Sequence, residues 1–297
     1  MAAPGDVPVE AVEPLPIKEV EDGVFVHTGA IDLMRAANEG AIANIGFVVG
    51  TRSVAIVDSG GSTLQGRRLM AAVRAVTDLP IRHVVNTHMH PDHVFGNAAF
   101  LGGETTFVGH ANLGAALAAR REAYLASNVE LMGEALMAEV AIVPPSLSVA
   151  APIAIDLGDR RLLLTPWPTA HTDNDLTVLD EKTGTLFAGD LVFLDHCPTL
   201  DGSLLGWLGA MGALRALPAR QVVPGHGPAT ASWPAALDDE ERYLETLAAD
   251  LRAALAKGET LSEAVATAAA SEAGRWQLFE EYNTRNATGA FAELEWE

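Results

Sequence analysis

Over the first third of the chain, short apolar runs are punctuated by turn residues. Residues 17–20 and 23–28 have strand-forming composition and meet at Glu21-Asp22-Gly23. Residues 45–50 and 53–58 repeat the arrangement around Gly50-Thr51-Arg52. Residues 30–42 hold few strand formers and read as a loop, of a length often given to function. After Asp58-Ser59-Gly60-Gly61, apolar side chains recur at helical spacing (Leu64, Leu69, Ala72, Val73, Val76) and predict a helix over 63–76. A strand at 81–85 follows. Pro91 then suits the first turn of a short helix reaching residue 99.

Residues 110–139, rich in Ala and Leu, predict a long helical region interrupted near Ser127-Asn128 and ended by Pro144-Pro145. Strand pairs are expected at 153–157 with 161–165, and at 176–179 with 185–188, turning at Gly158-Asp159 and Lys182-Thr183-Gly184. Residues 204–217 read as a helix, although Gly206, Gly209 and Gly212 lower its propensity. A short strand at 221–224 precedes three helical pieces that begin at Pro234 and break near Gly258 and Ala273-Gly274. Two groups of strands, each interleaved with helices, predict two facing sheets with helices outside. The chain divides into a flexible leader (1–16), one domain (17–232) and a helical extension packed on that domain (233–297).

Composition changes this picture little and charge changes it more. With 297 residues, 49% hydrophobic and 20% charged, the chain can bury a large core and is not a disordered sequence. Asp and Glu outnumber Lys and Arg by 39 to 19, a formal charge of −20. Such a surface repels phosphate backbones and anionic lipid, which argues against nucleic-acid and membrane partners and for a small-molecule substrate. Cys197 is the only cysteine, so no intrachain disulfide can form. No apolar run approaches the roughly 20 residues of a membrane span. The N-terminus lacks a charged region followed by an apolar one, and reads as a mature or trimmed end. The cytoplasm and the periplasm both remain open.

Chemistry concentrates in Asn86-Thr87-His88-Met89-His90-Pro91-Asp92-His93, directly after a strand. Imidazole nitrogens and carboxylate oxygens suit zinc and neighbouring divalent metals, and a strand end aims such groups at one point. Three more candidates follow strands: His171 in His-Thr-Asp-Asn-Asp, Asp190 closing Leu-Phe-Ala-Gly-Asp, and His226 in Pro-Gly-His-Gly. Together they offer seven ligands, enough for two adjacent divalent ions with room for water. Trp167, Trp207, Leu204, Leu205 and Met211 lie near them in sequence and fit either an apolar substrate wall or core.

In this order, His88-x-His90-x-Asp92-His93, His171, Asp190 and His226 resemble the metallo-β-lactamase superfamily, over about residues 17–230. The resemblance implies an α/β fold, the αββα four-layer sandwich, with its active site along one edge. It implies that His88, His90 and His171 hold a first metal, that Asp92, His93 and His226 hold a second, and that Asp190 bridges them. Asp58 matches the family's buried supporting acid and is not a ligand. The implied activity is that of a binuclear hydrolase with two zinc ions per chain, iron or manganese being alternatives. A hydroxide shared by the metals would cleave a small ester, thioester, lactone or amide bond, with promiscuous β-lactam cleavage as a side activity. Asp92 would accept the hydroxide's proton. His196 is a second catalytic candidate, as a proton donor to the leaving group or a residue of the pocket rim.

Two departures narrow the branch. The family's lactamases place Cys or Ser where this chain has Asp190, and the common His-Thr-x-Gly-His is here His171-Thr172-Asp173-Asn174-Asp175. With Asp195-His196-Cys197-Pro198 and the closing Glu-Leu-Glu-Trp-Glu, this is similar to metallohydrolases encoded beside quinoprotein dehydrogenases and sulfur-oxidation genes. Competing readings are a mononuclear iron persulfide dioxygenase, which uses fewer ligands, and a non-enzymatic metal-binding protein. The C-terminal helices either cover the pocket or build a homodimer contact.

Overall fold

The computed structural model describes residues 12–297. Residues 1–11 of the expected leader lie outside that range. Within it, Leu15 is buried and donates its N–H to Arg68 O at 3.0 Å, and Pro16 O accepts from His27 Nδ1 at 2.8 Å.

Seven strands form the first sheet in chain order: β1 (Lys18–Glu21), β2 (Val24–His27), β3 (Ile45–Val49), β4 (Val54–Val57), β5 (Ile81–Val85), β6 (Thr106–His110) and β7 (Leu147–Val149). The first four are antiparallel; β4 to β7 run parallel, joined by crossovers that carry α1 (Thr63–Val76), α2 (Pro91–Val94), α3 (Leu113–Met132) and α4 (Glu134–Met137). The second sheet contains β8 (Ile153–Asp156), β9 (Arg161–Pro166), β10 (Leu176–Asp180), β11 (Thr185–Phe193), β12 (Gln221–His226) and β13 (Ala231–Ser232), with β12 parallel to β11. Behind it lie α5 (Leu204–Arg215), α6 (Asp238–Lys257), α7 (Leu261–Val265) and α8 (Phe279–Leu294).

The period of two along each strand decides the layers. In β3 and β4, Val48, Ala55 and Val57 face the second sheet and pack against Leu162, Leu164, Val178 and Phe187. Ile45, Phe47, Val54 and Ile56 face the other way, onto Leu69, Ala72 and Val73 of α1. The second sheet's outer side chains, Leu179, Leu186 and Ala188, meet Trp207, Leu214, Tyr243, Leu247 and Phe291 of the following helices. The result is helix, sheet, sheet, helix, as expected.

Some elements depart from the sequence pattern. It assigns no strand to β6, β7 or β13: β7 has three residues and β13 two, and β6 begins inside a polar, Gly-rich approach. The interruption expected at Ser127-Asn128 is absent, because Ser127 Oγ donates to Ala123 O and Asn128 Nδ2 to Tyr124 O, both at 2.8 Å. Polar side chains that would compete with the helix are satisfied inside it. The break falls instead at Gly133, with φ +83°. Gly206 does not unsettle α5: a Cβ there would lie 2.1 Å from Thr169 O, so the glycine lets the helix close on the loop before His171.

The two sheets are clamped at the end of the β8–β9 turn by Arg160. Its guanidinium pairs with Asp180 at 2.7 and 3.0 Å and donates to Val49 O and Asp22 O in the first sheet. Both side chains are buried. Arg160→Ala strands a buried carboxylate, and the expected loss is on the order of 3–5 kcal/mol. A urea unfolding midpoint equal to wild type would contradict the clamp.

Candidate metal centre

All the sequence-predicted ligands but Asp190 stand at a strand end or beyond one, and they gather on one edge of the sheets. His88, His90, Asp92 and His93 follow β5 and enter α2; Asp190 lies within β11 and His226 ends β12; His171 sits in the β9–β10 connection. The structure brings all seven into two adjacent groups: His88, His90, His171 and Asp190, and Asp92, His93 and His226. In each group one donor atom per residue lies within 4.8 Å of the others. His27, His83 and His110 belong to neither group.

Expected strand β11 is longer than its sequence pattern suggested, and the added length matters. Its register with β12 shifts around Gly189, whose φ is +54°. Such a bulge re-aims the next side chain, here Asp190. Gly225 completes the cradle, since a Cβ on it would lie 1.9 Å from Asp190 Oδ1.

The ring nitrogens facing away from the cluster all meet acceptors. His90 Nε2 donates to Asp201 Oδ2 at 3.0 Å, His93 Nδ1 to Asp58 Oδ2 at 2.8 Å, His171 Nδ1 to Thr199 O at 2.6 Å, and His226 Nδ1 to Ile42 O at 3.0 Å. Thr87 Oγ1 gives its own proton to Asp58 Oδ2, so at 3.1 Å it accepts from His88 Nδ1. An imidazole that donates outward presents a lone pair inward. Yet His90 Nδ1 is 3.1 Å from both His88 Nε2 and His171 Nε2. Three lone pairs held that close repel one another unless a cation lies between them.

The spacing fits that cation. Ligands about 2.0–2.1 Å from a tetrahedral zinc sit roughly 3.3 Å apart. Several donor pairs lie near that spacing: His93 Nε2 to Asp190 Oδ1 is 3.1 Å, His226 Nε2 to Asp92 Oδ2 is 3.3 Å, and His171 Nε2 to Asp190 Oδ2 is 3.5 Å. His93 Nε2 and Asp190 Oδ1 are buried with no hydrogen-bond partner. Asp190 reaches both groups, its Oδ1 near His93 and its Oδ2 near His88, His171 and His226. The donor set and its geometry therefore fit two divalent ions sharing Asp190.

Of the groups behind the ligands, only Asp58 is read from the sequence. Asp58, the buried acid, adopts φ +57° and accepts from Thr87 N and Oγ1 as well as from His93. Asp201, Thr199 and Ile42 orient ligands but carry no spacing signal, because each acts from a distant loop or through its backbone. In the stretch after His171, Asp175 accepts from Thr172 N and Oγ1 at 2.9 and 2.6 Å and so pins the loop. Trp167, Trp207, Leu204 and Met211 are core, with Trp207 packed edge-on to His171 at 5.5 Å. Cys197 is buried, and burial pushes its thiol up to about 12, which removes it as a nucleophile.

The ligands open on a cavity of about 590 Å³, lined also by Leu33, Met34, Tyr124 and Tyr282. His196 lines it too, its ring 4.8 Å from that of His226 and 4.9 Å from that of Tyr282. Its Nδ1 donates to Cys197 O at 2.7 Å, and burial lowers its pKa to about 4, so the ring is neutral at neutral pH.

Residues 39–226 match the family described as the metallo-beta-lactamase superfamily. The chain belongs to that superfamily. Among solved structures, a metallo-beta-lactamase from Pontibacter korlensis superposes with a TM-score of 0.63 at 19% identity, over 78% of this chain and 99% of that one. A double mutant of the sec-alkyl sulfatase PisA1 superposes with a TM-score of 0.66 at 15% identity, over 84% of this chain and 44% of that one. A segment of 49 residues is 47% identical to the linear primary-alkylsulfatase of a Pseudomonas species; it makes up 16% of this chain and 9% of that protein. The superfamily chain thus spans only a small part of this curated relative. Among the described residues, no helix is long and apolar enough to cross a membrane.

The two ligand groups differ in proton affinity. Burial lowers the pKa of His171 to about 4, only partly offset by Asp190. For His226 burial acts in the same direction, but Asp190 and Asp92 outweigh it and raise the pKa to about 9. Metal entering the Asp92–His93–His226 group at neutral pH must displace a proton, whereas at the other group His88 and His171 have little to displace. Stepwise zinc titrations at pH 6.5 and 8.5 should show the second affinity rising with pH and the gap between the two steps narrowing. A gap independent of pH would contradict the assignment.

Proposed function

We propose that the chain is a binuclear zinc hydrolase that cleaves a small ester, thioester, lactone or amide bond. The observation that carries the proposal is the pair of ligand groups sharing Asp190, open to a cavity of a size that suits a small molecule. When bound, two divalent cations supply a water of lowered pKa and an electrophilic partner for the oxygen that gains charge. The side chains do the remaining work. Asp92 is 11% exposed against 3% for Asp190, so it is the ligand carboxylate better able to meet a reacting water. It accepts that water's proton as the oxygen adds to the carbonyl carbon, and the proton then serves the departing oxygen, sulfur or nitrogen. In the metal-free chain His93 and His226 outweigh burial and lower the pKa of Asp92 to about 2, so it is ionised and ready to receive a cation. Neutral His196 stands at the wall as a hydrogen-bonding group. Retention of seven ligands favours this reading over a single-iron oxygenase.

A sulfate ester is the second reading, supported by the likeness to two alkylsulfatases. A panel of 4-nitrophenyl butyrate, a thioester, a lactone, octyl sulfate and a cephalosporin separates the readings. Zinc-reconstituted protein should turn over at least one acyl substrate, lose that activity to a chelator and regain it with zinc. With Asp190 in place of Cys or Ser, β-lactam cleavage should stay well below about 10⁶ M⁻¹s⁻¹. Asp92→Asn should lower kcat by at least about 100-fold. Acyl turnover by Asp92→Asn equal to wild type, or turnover of octyl sulfate alone, would overturn the proposal.

A further inference from the structure

Part of the cavity lining has no part in holding metal. Arg120 and Tyr124 stand one turn apart on α3, and Tyr282 and Arg285 three residues apart on α8; all four line the cavity. In a chain with 39 acidic and 19 basic residues, two guanidinium groups on one cavity run against the overall charge. Neither is spent on a strong ion pair. Arg120 Nη2 is 3.8 Å from Asp201 Oδ2, beyond hydrogen-bond range, and that oxygen already accepts from His90 at 3.0 Å. Arg285 is exposed and forms no ion pair with any described residue. An independent sign comes from Tyr124, whose hydroxyl is buried without a hydrogen-bond partner. A buried donor with no acceptor is costly unless something else fills the place.

Guanidinium groups without a close ionic partner and an unpaired hydroxyl in one cavity match the chemistry of an oxyanion, which guanidinium binds through paired N–H donors. The rest of the lining includes Leu33, Met34, Ile42, Leu131 and Leu200, which suit an apolar body. We propose that the substrate is a small amphiphilic anion, and that Arg120, Tyr124 and Arg285 hold an oxyanion on the part of it that is not cleaved. The word substrate rests on the hydrolase reading; the anion site does not. Because Arg285 belongs to α8, the C-terminal helices set specificity.

Calorimetry on the full-length, zinc-loaded protein tests the site without turnover. Butyrate and glutarate each offer one carboxylate to the metals, and glutarate brings a second. Glutarate should bind at least tenfold more tightly, and that advantage should fall below threefold in Arg285→Gln. Arg120→Gln should do the same with zinc content equal to wild type; if it loses zinc, Arg285→Gln alone decides. Equal binding of the two acids by wild type, or an advantage that survives in Arg285→Gln, overturns the proposal. Turnover separates it from the hydrolase reading. Mono-4-nitrophenyl glutarate should exceed 4-nitrophenyl butyrate at least tenfold in kcat/KM, a ratio that collapses in Arg285→Gln. Equal rates sink the anion site and leave the hydrolase; no acyl turnover with the glutarate advantage intact sinks the hydrolase and leaves the anion site.

Discussion

Five imidazoles and two carboxylates converge on one another, and the close ring nitrogens of His88, His90 and His171 repel unless a cation lies between them. The fold works against the repulsion by fixing each ligand from behind. Asp58, Thr87, Thr199, Asp201 and Ile42 take the outward N–H groups, and they come from both sheets and from the loop at residues 30–42. Asn44 joins that loop to the end of β12, donating to Pro224 O at 2.9 Å while its N–H reaches Gly225 O at 2.7 Å. Positive φ at Asp58 and Gly189 shows the backbone bending to the same purpose. Metal affinity here depends on preorganisation: the ligands are held in place by groups that do not themselves touch metal.

The C-terminal helices belong to this scaffold as much as to the cavity. Asn286 of α8 donates to Pro198 O at 2.6 Å and accepts from Leu200 N at 2.9 Å. Glu293 takes the start of α5 through Ser203 Oγ at 2.5 Å and Leu204 N at 2.8 Å. The segment clamped between them supplies Thr199 to His171 and Asp201 to His90. The same helix that contributes Arg285 to the cavity lining therefore also positions His90 and His171 of the first ligand group.

Much of this was legible in the chain itself. Strand pairs, helix α1 and the four-layer order follow from apolar periodicity, and the seven ligands from residue type at strand ends. What the sequence hid acts at a distance or through the backbone. The turn holding Asp201 reads as an ordinary Asp-Gly loop, and the carbonyls of Ile42 and Thr199 leave no trace in side-chain pattern. Short strand β7 gains its place from parallel pairing with β6, which no local signal announces. Ser127 and Asn128 misled because their side chains bond back into α3 and do not break it. The aromatic residues near the ligands in sequence proved to be core, while the cavity wall came from α3 and α8, both far away along the chain.

The central claim is a site for two divalent cations that share Asp190. Chelator-stripped protein titrated with zinc, with bound metal counted by mass spectrometry after dialysis, addresses it most directly. Two zinc ions per chain, the second lost first in Asp190→Asn, is the result this account predicts. A single equivalent at saturation, or two retained with unchanged affinity when Asp190 is replaced, would contradict it.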